Sequence, residues 1–231
     1  MLPLSPADPP VVLRRAESPR GELVLRARTS SDGAVVHELI VNGAFAMDSQ
    51  EVASELRLAQ LVVEQGRLGR VAVGGLGLGF TAAALLDADV RHLDVVELEA
   101  DLVFWAREGV TEQLRRVAAD PRCTLHTADV VPWLDTAPEG AFDAVLLDVD
   151  NGPDFLIHDS NQRLYRSGVL ARALSLVRPE GVLAVWCQHR TPSLERTLTD
   201  LGPTTEELVR VQRGRHQIDY AIYLTRHPRG A

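Results

Sequence analysis

From Val11 to Val41 the apolar residues come in short runs that favour strands. VVLRR, ELVLRAR and AVVHELIV carry the pattern, and SPRG and TSSDG between them have turn chemistry. A small antiparallel sheet ending near Asn42-Gly43 is expected. From Ser49 the spacing becomes helical, with Val52, Leu56, Ala59, Leu61 and Val62 on one face and Gly66 as the stop. From Arg70 strand-like runs alternate with helical ones. VAV, LDVVELE, CTLHTAD, AFDAVLLDVD and GVLAVWCQ read as strands, with helices over 80–87, through DLVFWARE, over 165–177 and over 194–201. ELVRVQ and DYAIYLTR close the chain as a pair of strands. This alternation with apolar strands predicts an α/β fold whose mostly parallel sheet is covered on both faces and ends in an antiparallel edge. No repeat or long linker interrupts it, so the expected organisation is a β-strand region over 1–48 and a catalytic domain over 49–231.

Composition narrows the chemistry. The 231 residues are 45% hydrophobic and 24% charged, enough to bury a substantial core. The net charge of −8 leaves no long-range positive field, so neither nucleic acid nor an anionic membrane surface is an expected partner. Arg210, Arg213 and Arg215 read as a solvated strand end before they read as an anion site. No lysine occurs, which excludes a pyridoxal phosphate Schiff base and a Walker-type phosphate lysine. Cys123 and Cys187 are far apart without metal-ligand spacing, so neither disulfide nor metal site is expected. The proline-rich start MLPLSPADPP lacks the pattern of a signal, and the apolar stretch 71–86 is too short to span a bilayer; a cytoplasmic protein is expected.

The first strand of the second region runs into VAVGGLGLGF, which puts Gly74, Gly75, Gly77 and Gly79 before an apolar helix. Such a loop lets a ligand approach the backbone at a helix N-terminus, although any α/β domain needs a turn there. Glu97 ends the next strand about 20 residues on, where a carboxylate can take both hydroxyls of a ribose. CTLHTAD then ends in Asp129, and AFDAVLLDVD in Asp148 and Asp150 before Asn151-Gly152-Pro153. Three successive strands thus deliver carboxylates to the carboxyl edge of one sheet, the edge where open α/β sheets bind ligands.

In that order, glycine loop, VVELE, TAD and VLLDVD resemble the spermidine synthase family within the class I methyltransferase superfamily, over about residues 70–188. LIVNGAFAMDSQEVASE is similar to the family's lead-in, so nearly the whole chain is covered. The resemblance implies a Rossmann-like class I methyltransferase fold after the small sheet, and S-adenosylmethionine or its decarboxylated form as co-substrate, without metal. It implies that the glycine loop cradles the donor's tail, Glu97 binds ribose, Asp129 meets the adenine amino group and Asp148 deprotonates an amine acceptor. FLIHDSNQRLYRSGVL is expected to wall the acceptor, with Asp159, Asn161 and Tyr165 as polar candidates; Asn151 before it is a further substrate-binding candidate, and Asp150 is a candidate second acid. His158 and His189 are alternative bases, each read first as structural; Trp105, Trp133 and Trp186 read as core or pocket wall.

Three departures bear on the group transferred. Gly77 stands where the family carries a donor-binding aspartate, Ala46 and Ala53-Ser54 replace acceptor contacts, and Val149-Asp150-Asn151 alters the turn after the catalytic acid. The lost loop carboxylate favours intact donor, hence methyl transfer ahead of aminopropyl transfer, with aminocarboxypropyl transfer also open. A dinucleotide oxidoreductase and a catalytically silent nucleoside-binding or assembly protein are the other classes. A homodimer or homotetramer is expected, because a small antiparallel sheet leaves edges to cover.

Overall fold

The protein is described by a computed structural model over residues 9–66, 68–149, 159–213 and 216–228. Strands β1 (Val11–Ser18), β2 (Gly21–Thr29), β3 (Val35–Val41) and β4 (Ala44–Asp48) form an antiparallel sheet in that order. The sheet therefore runs one strand beyond the Asn42-Gly43 at which it was expected to end. Asn42 and Gly43, both at positive φ, make the tight turn that lets β4 fold back on β3.

Helix α1 (Ala53–Val63) buries Leu58, Ala59, Leu61 and Val62, whereas Leu56 is 45% exposed. The apolar face is thus rotated from the expected one: Leu58, not Leu56, meets the core. The turn into α1 is fixed by Asp48, whose Oδ1 accepts the Gln50 and Glu51 N–H groups at 3.0 Å each.

After α1, strand and helix alternate: β5 (Arg70–Gly74), α2 (Phe80–Asp87), β6 (His92–Glu97), α3 (Ala100–Glu108), α4 (Glu112–Ala119), β7 (Cys123–Thr127), α5 (Val130–Thr136) and β8 (Phe142–Leu147). A 3-10 turn over Asp159–Tyr165 leads to α6 (Ser167–Ser175), β9 (Val177–Cys187), α7 (Pro192–Leu201), β10 (Thr204–Arg213) and β11 (His216–Arg226). Helices α4 and α5 were not expected. In α4 only Leu114 and Val117 are buried, too few to mark a period, and its cap is Thr111, which accepts the Leu114 N–H. Pro132 in α5 looks like a breaker, yet it falls in the first turn, where its missing N–H costs no helical bond. Helix α6 also stops before the expected 177, where β9 begins.

The second sheet has seven strands in the order β10-β11-β9-β8-β5-β6-β7. β7, β6, β5, β8 and β9 are parallel, and β11 and β10 add antiparallel, the expected edge. Every residue of β8, FDAVLL, is buried, as a central parallel strand covered on both faces requires. One apolar cluster joins Leu25 and Leu39 of the small sheet to Leu58 of α1 and Val73 of β5, so the small sheet shares a core with one face of the large one. The chain leaves β5 toward β6 and β7, then returns to β8 on the other side. Between the carboxyl ends of β5 and β8 lies the switch point of the topology, the place where such sheets bind ligands. Among the described residues no helix is long and apolar enough to cross a membrane.

Candidate functional site

A cavity of about 140 Å³ opens at this switch point. Gly75, Gly77, Glu97, Asp129 and Asp148 all line it. The loop after β5 is held by the Gly75 N–H, which donates to the Val96 carbonyl at 2.8 Å, and by the Asp148 N–H, which donates to the Gly74 carbonyl at 2.8 Å. Gly75 has φ 94, and a β-carbon on it would stand 2.0 Å from the Asp148 carbonyl oxygen. No side chain fits there, so the strand ends approach as closely as backbone permits.

Glu97 is 8% exposed. Its Oε2 accepts the Leu76 N–H at 2.8 Å and its Oε1 accepts the Glu99 N–H at 2.8 Å. Burial raises its pKa, against those N–H groups, and the neighbouring Glu99 charge adds to the rise. Each oxygen keeps a second lone pair for an incoming hydroxyl. Glu99 itself is held by Arg20 of the β1–β2 turn, whose Nε donates to Glu99 Oε1 at 2.7 Å and whose guanidinium also reaches the Leu98 carbonyl at 3.0 Å.

Asp129 caps α5, its Oδ1 accepting the Val131 N–H at 3.0 Å, and its Oδ2 pairs with Arg163 from the 3-10 turn. Asp148 is half-buried, and its Oδ2 accepts the Thr81 hydroxyl at 2.7 Å. Burial pushes its carboxyl up to about 6, the Thr81 hydroxyl offsetting part of the rise. It combines proximity to the cavity with a pKa near neutrality, the combination that a general base needs.

Not every expected residue meets there. Gly74 packs under Val130 and Val149, and Gly79 is the N-cap of α2 against Val117; neither lines the cavity. Tyr165 packs against the apolar cluster that includes Leu164 and Leu170 and is not among the residues that line the cavity. His189 is exposed beyond β9 and lines no cavity wall. Asp150, Asn151, His158 and Arg215 lie outside the described residues, as do the side chains of Asp159, Asn161 and Arg213. Trp105 is core at 3% exposure, whereas Trp186 is a cavity wall. Cys187 is buried, and burial pushes the Cys123 thiol up to about 12, so neither is a nucleophile at neutral pH.

Sequence reasoning missed Met47, Thr81 and Arg163, and it missed Leu23, Leu39 and Val41 of the small sheet as cavity walls. For Thr81 a signal existed, since a hydroxyl in the first turn after a glycine loop faces the neighbouring strand end. The others depend on how two sheets meet, which spacing along one chain does not encode.

No family model matches the chain. Among curated proteins it is similar to a polyamine aminopropyltransferase of Prochlorococcus marinus, with 30% identity over 133 residues, 56% of this chain and 43% of that protein. It is similar to polyamine aminopropyltransferase 2 of Pseudomonas aeruginosa, with 30% identity over 154 residues, 64% of this chain and 42% of that protein. Spermidine synthase 1 of Pisum sativum is 29% identical over 113 residues, 48% of this chain and 31% of that protein. The chain thus spans less than half the length of these relatives. Among solved structures, a spermidine synthase in complex with the transition-state analogue AdoDATO superposes with a TM-score of 0.76 at 16% identity, over 93% of this chain and 73% of that one. Spermidine synthase from Thermotoga maritima gives a TM-score of 0.74 at 16% identity, over 93% and 72%. The resemblance to the spermidine synthase family therefore holds in sequence, and the fold is the expected Rossmann-like one preceded by a small antiparallel sheet.

Proposed function

From a chain that resembles the spermidine synthase family in sequence and in fold, we propose a transferase that moves an alkyl group from the sulfonium of an S-adenosyl donor to the nitrogen of a small amine. The observation that carries this is the convergence of Glu97, Asp129 and Asp148, from the carboxyl ends of three parallel strands of one sheet, on one cavity beside the glycine loop. The relatives' names support aminopropyl transfer from decarboxylated S-adenosylmethionine, which takes precedence over the methyl transfer expected from the loop. Those names are also transferase names, so the oxidoreductase reading is set aside. We also propose homo-oligomerisation, on the basis of the β1 edge, which only β2 pairs among the described residues and where Val12 is 53% exposed.

In this reading Glu97 takes the ribose hydroxyls with its remaining lone pairs. Asp129 takes the adenine amino group, with Arg163 as the cation the nucleoside meets there. Asp148 accepts the proton that the amine sheds as its nitrogen attacks the carbon on sulfur; the C–N bond forms, the C–S bond breaks, and sulfur leaves as a neutral thioether. Nothing in this step calls for an electrophile beyond the sulfonium, so placement and one base are the protein's contribution. A second reading has intact S-adenosylmethionine as donor and methyl or aminocarboxypropyl as the group, favoured by the thioether of Met47, not a carboxylate, beside Gly77.

Two outcomes follow. The rate at saturating donor is expected to rise about tenfold per pH unit up to about 6 and then level as Asp148 ionises, measured as a pH–rate profile. Glu97→Gln keeps one acceptor oxygen but loses the other, and is expected to weaken donor binding about tenfold or more by calorimetry, with little change in kcat. The function itself is tested by mass spectrometry of the nucleoside product formed with a diamine acceptor. Methylthioadenosine from the decarboxylated donor supports aminopropyl transfer, and S-adenosylhomocysteine from the intact donor supports methyl transfer. Donor binding with neither product would leave a nucleoside-binding protein.

A further inference from the structure

Arg20 reaches from the small sheet to the segment after β6, and the turn that carries it is fixed from both sides. Ser18 Oγ accepts the Arg20 N–H at 3.1 Å, and the Arg20 carbonyl accepts the Asn42 side-chain amide at 3.2 Å. Asn42 Oδ1 in turn accepts the Glu22 N–H at 2.9 Å, which ties the β1–β2 turn to the β3–β4 turn. Gly21 between them has φ 118, and a β-carbon on it would collide with Asn42 Oδ1. From this anchored turn the guanidinium holds the Glu99 carboxylate, through Nε at 2.7 Å and Nη2 at 3.3 Å, and the Leu98 carbonyl at 3.0 Å. Glu99 is the N-cap residue of α3 yet makes no side-chain cap bond; its carboxylate turns to Arg20 instead. The Glu99 N–H donates to Glu97 Oε1 at 2.8 Å, so the segment that Arg20 holds also aims Glu97.

Five carboxylates line the cavity, those of Glu55, Glu97, Glu99, Asp129 and Asp148. Arg163 pairs with Asp129 and Arg20 with Glu99, while the loop after β5 meets Glu97 with the Leu76 N–H. Glu97 is buried, and the neighbouring Glu99 charge opposes its ionisation; Arg20 lies close enough to act on Glu97, Glu99 and Asp129 alike. We infer that Arg20 is a positioning residue for ligand hydroxyls at Glu97, acting through Glu99. This rests on the reading of the cavity as an S-adenosyl nucleoside site. An ionised Glu97 offers acceptor lone pairs on both oxygens, whereas a protonated one brings an O–H that needs an acceptor of its own. Without Arg20 the Glu99 charge stands uncancelled beside Glu97, which then takes its proton at a higher pH and loses its hold on the hydroxyls there.

The test is calorimetry of methylthioadenosine between about pH 5.5 and about pH 9 on the wild type, Arg20→Met, Arg20→Lys, Glu99→Gln and the double variant Arg20→Met/Glu99→Gln. Arg20→Met is expected to bind about tenfold more weakly than the wild type at the acid end and within about threefold of it at the alkaline end. Arg20→Lys keeps the charge and the double variant removes both charges, so each is expected to stay within about threefold of the wild type throughout. A merely structural role would weaken Arg20→Met equally at every pH, with no rescue by Glu99→Gln; that result overturns the inference, as does an Arg20→Met curve that matches the wild type. If Arg20→Met does not fold, Glu99→Gln alone decides. It is expected to bind about threefold more tightly than the wild type at the acid end, and a curve superimposable on the wild type overturns the inference. A wild type that binds no methylthioadenosine at any pH would end the nucleoside-site reading itself, and the inference with it.

Discussion

Asp148→Asn is expected to lower kcat by about 10²–10⁴-fold while donor affinity stays within about threefold, because the substitution removes a proton acceptor and leaves the cavity's shape. The amide oxygen of Asn can still accept the Thr81 hydroxyl that Asp148 Oδ2 accepts at 2.7 Å. The same variant carries a stability signature. Burial raises the folded-state pKa of Asp148 to about 6, above its ordinary 3.8, so its contribution is fully present below about pH 4 and is lost as pH rises through 6. Asn does not ionise. The variant is therefore expected to melt higher than the wild type at pH 8, by up to about 2 kcal/mol after allowance for solvent at a half-buried site, and to match it near pH 4. Loss of turnover with a lower melting temperature at pH 8 would point to a structural defect and not to a missing base.

Gly75→Ala is expected to have the largest effect on folding of any single methyl group added to the loop. Its β-carbon would stand 2.0 Å from the Asp148 carbonyl oxygen, and the backbone at φ 94 is one that alanine avoids. The carbonyl belongs to the end of a fully buried strand and has no flexible end to swing aside. Steric overlap and backbone strain together are expected to cost about 3–5 kcal/mol, measured by denaturant unfolding. Any protein that still folds must move Asp148 away from the loop, so its kcat is expected to fall as well. A Gly75→Ala protein with wild-type stability would mean that the ends of β5 and β8 do not approach so closely.

Much of the fold is legible because its signals are local. A run such as FDAVLL, short, apolar and followed by turn residues, reads as a buried strand, and a glycine loop between VAV and an apolar helix leaves few other geometries. Glu97, Asp129 and Asp148 could be placed together without coordinates, since parallel strands that end in acids present them at one edge. What escaped was set by tertiary packing. The phase of α1 depends on how its face meets the shared core, which decided for Leu58 over Leu56. Two short helices hid behind Pro132 and a sparse apolar pattern. The cavity wall from the small sheet was hidden too: Met47 lies 30 positions before Gly77, and its aim depends on a bulge that no residue type announces. The loss of the loop carboxylate was visible in the sequence; that a thioether occupies its space was not.

Intact and decarboxylated S-adenosyl donors share the same nucleoside part, so methylthioadenosine probes the nucleoside site without regard to the tail. Calorimetric titration of the wild type is expected to give saturable binding at one site per chain, weakened about tenfold or more by Glu97→Gln and by Asp129→Ala. Absence of binding, or binding untouched by both substitutions, would contradict the assignment of this cavity to an S-adenosyl nucleoside.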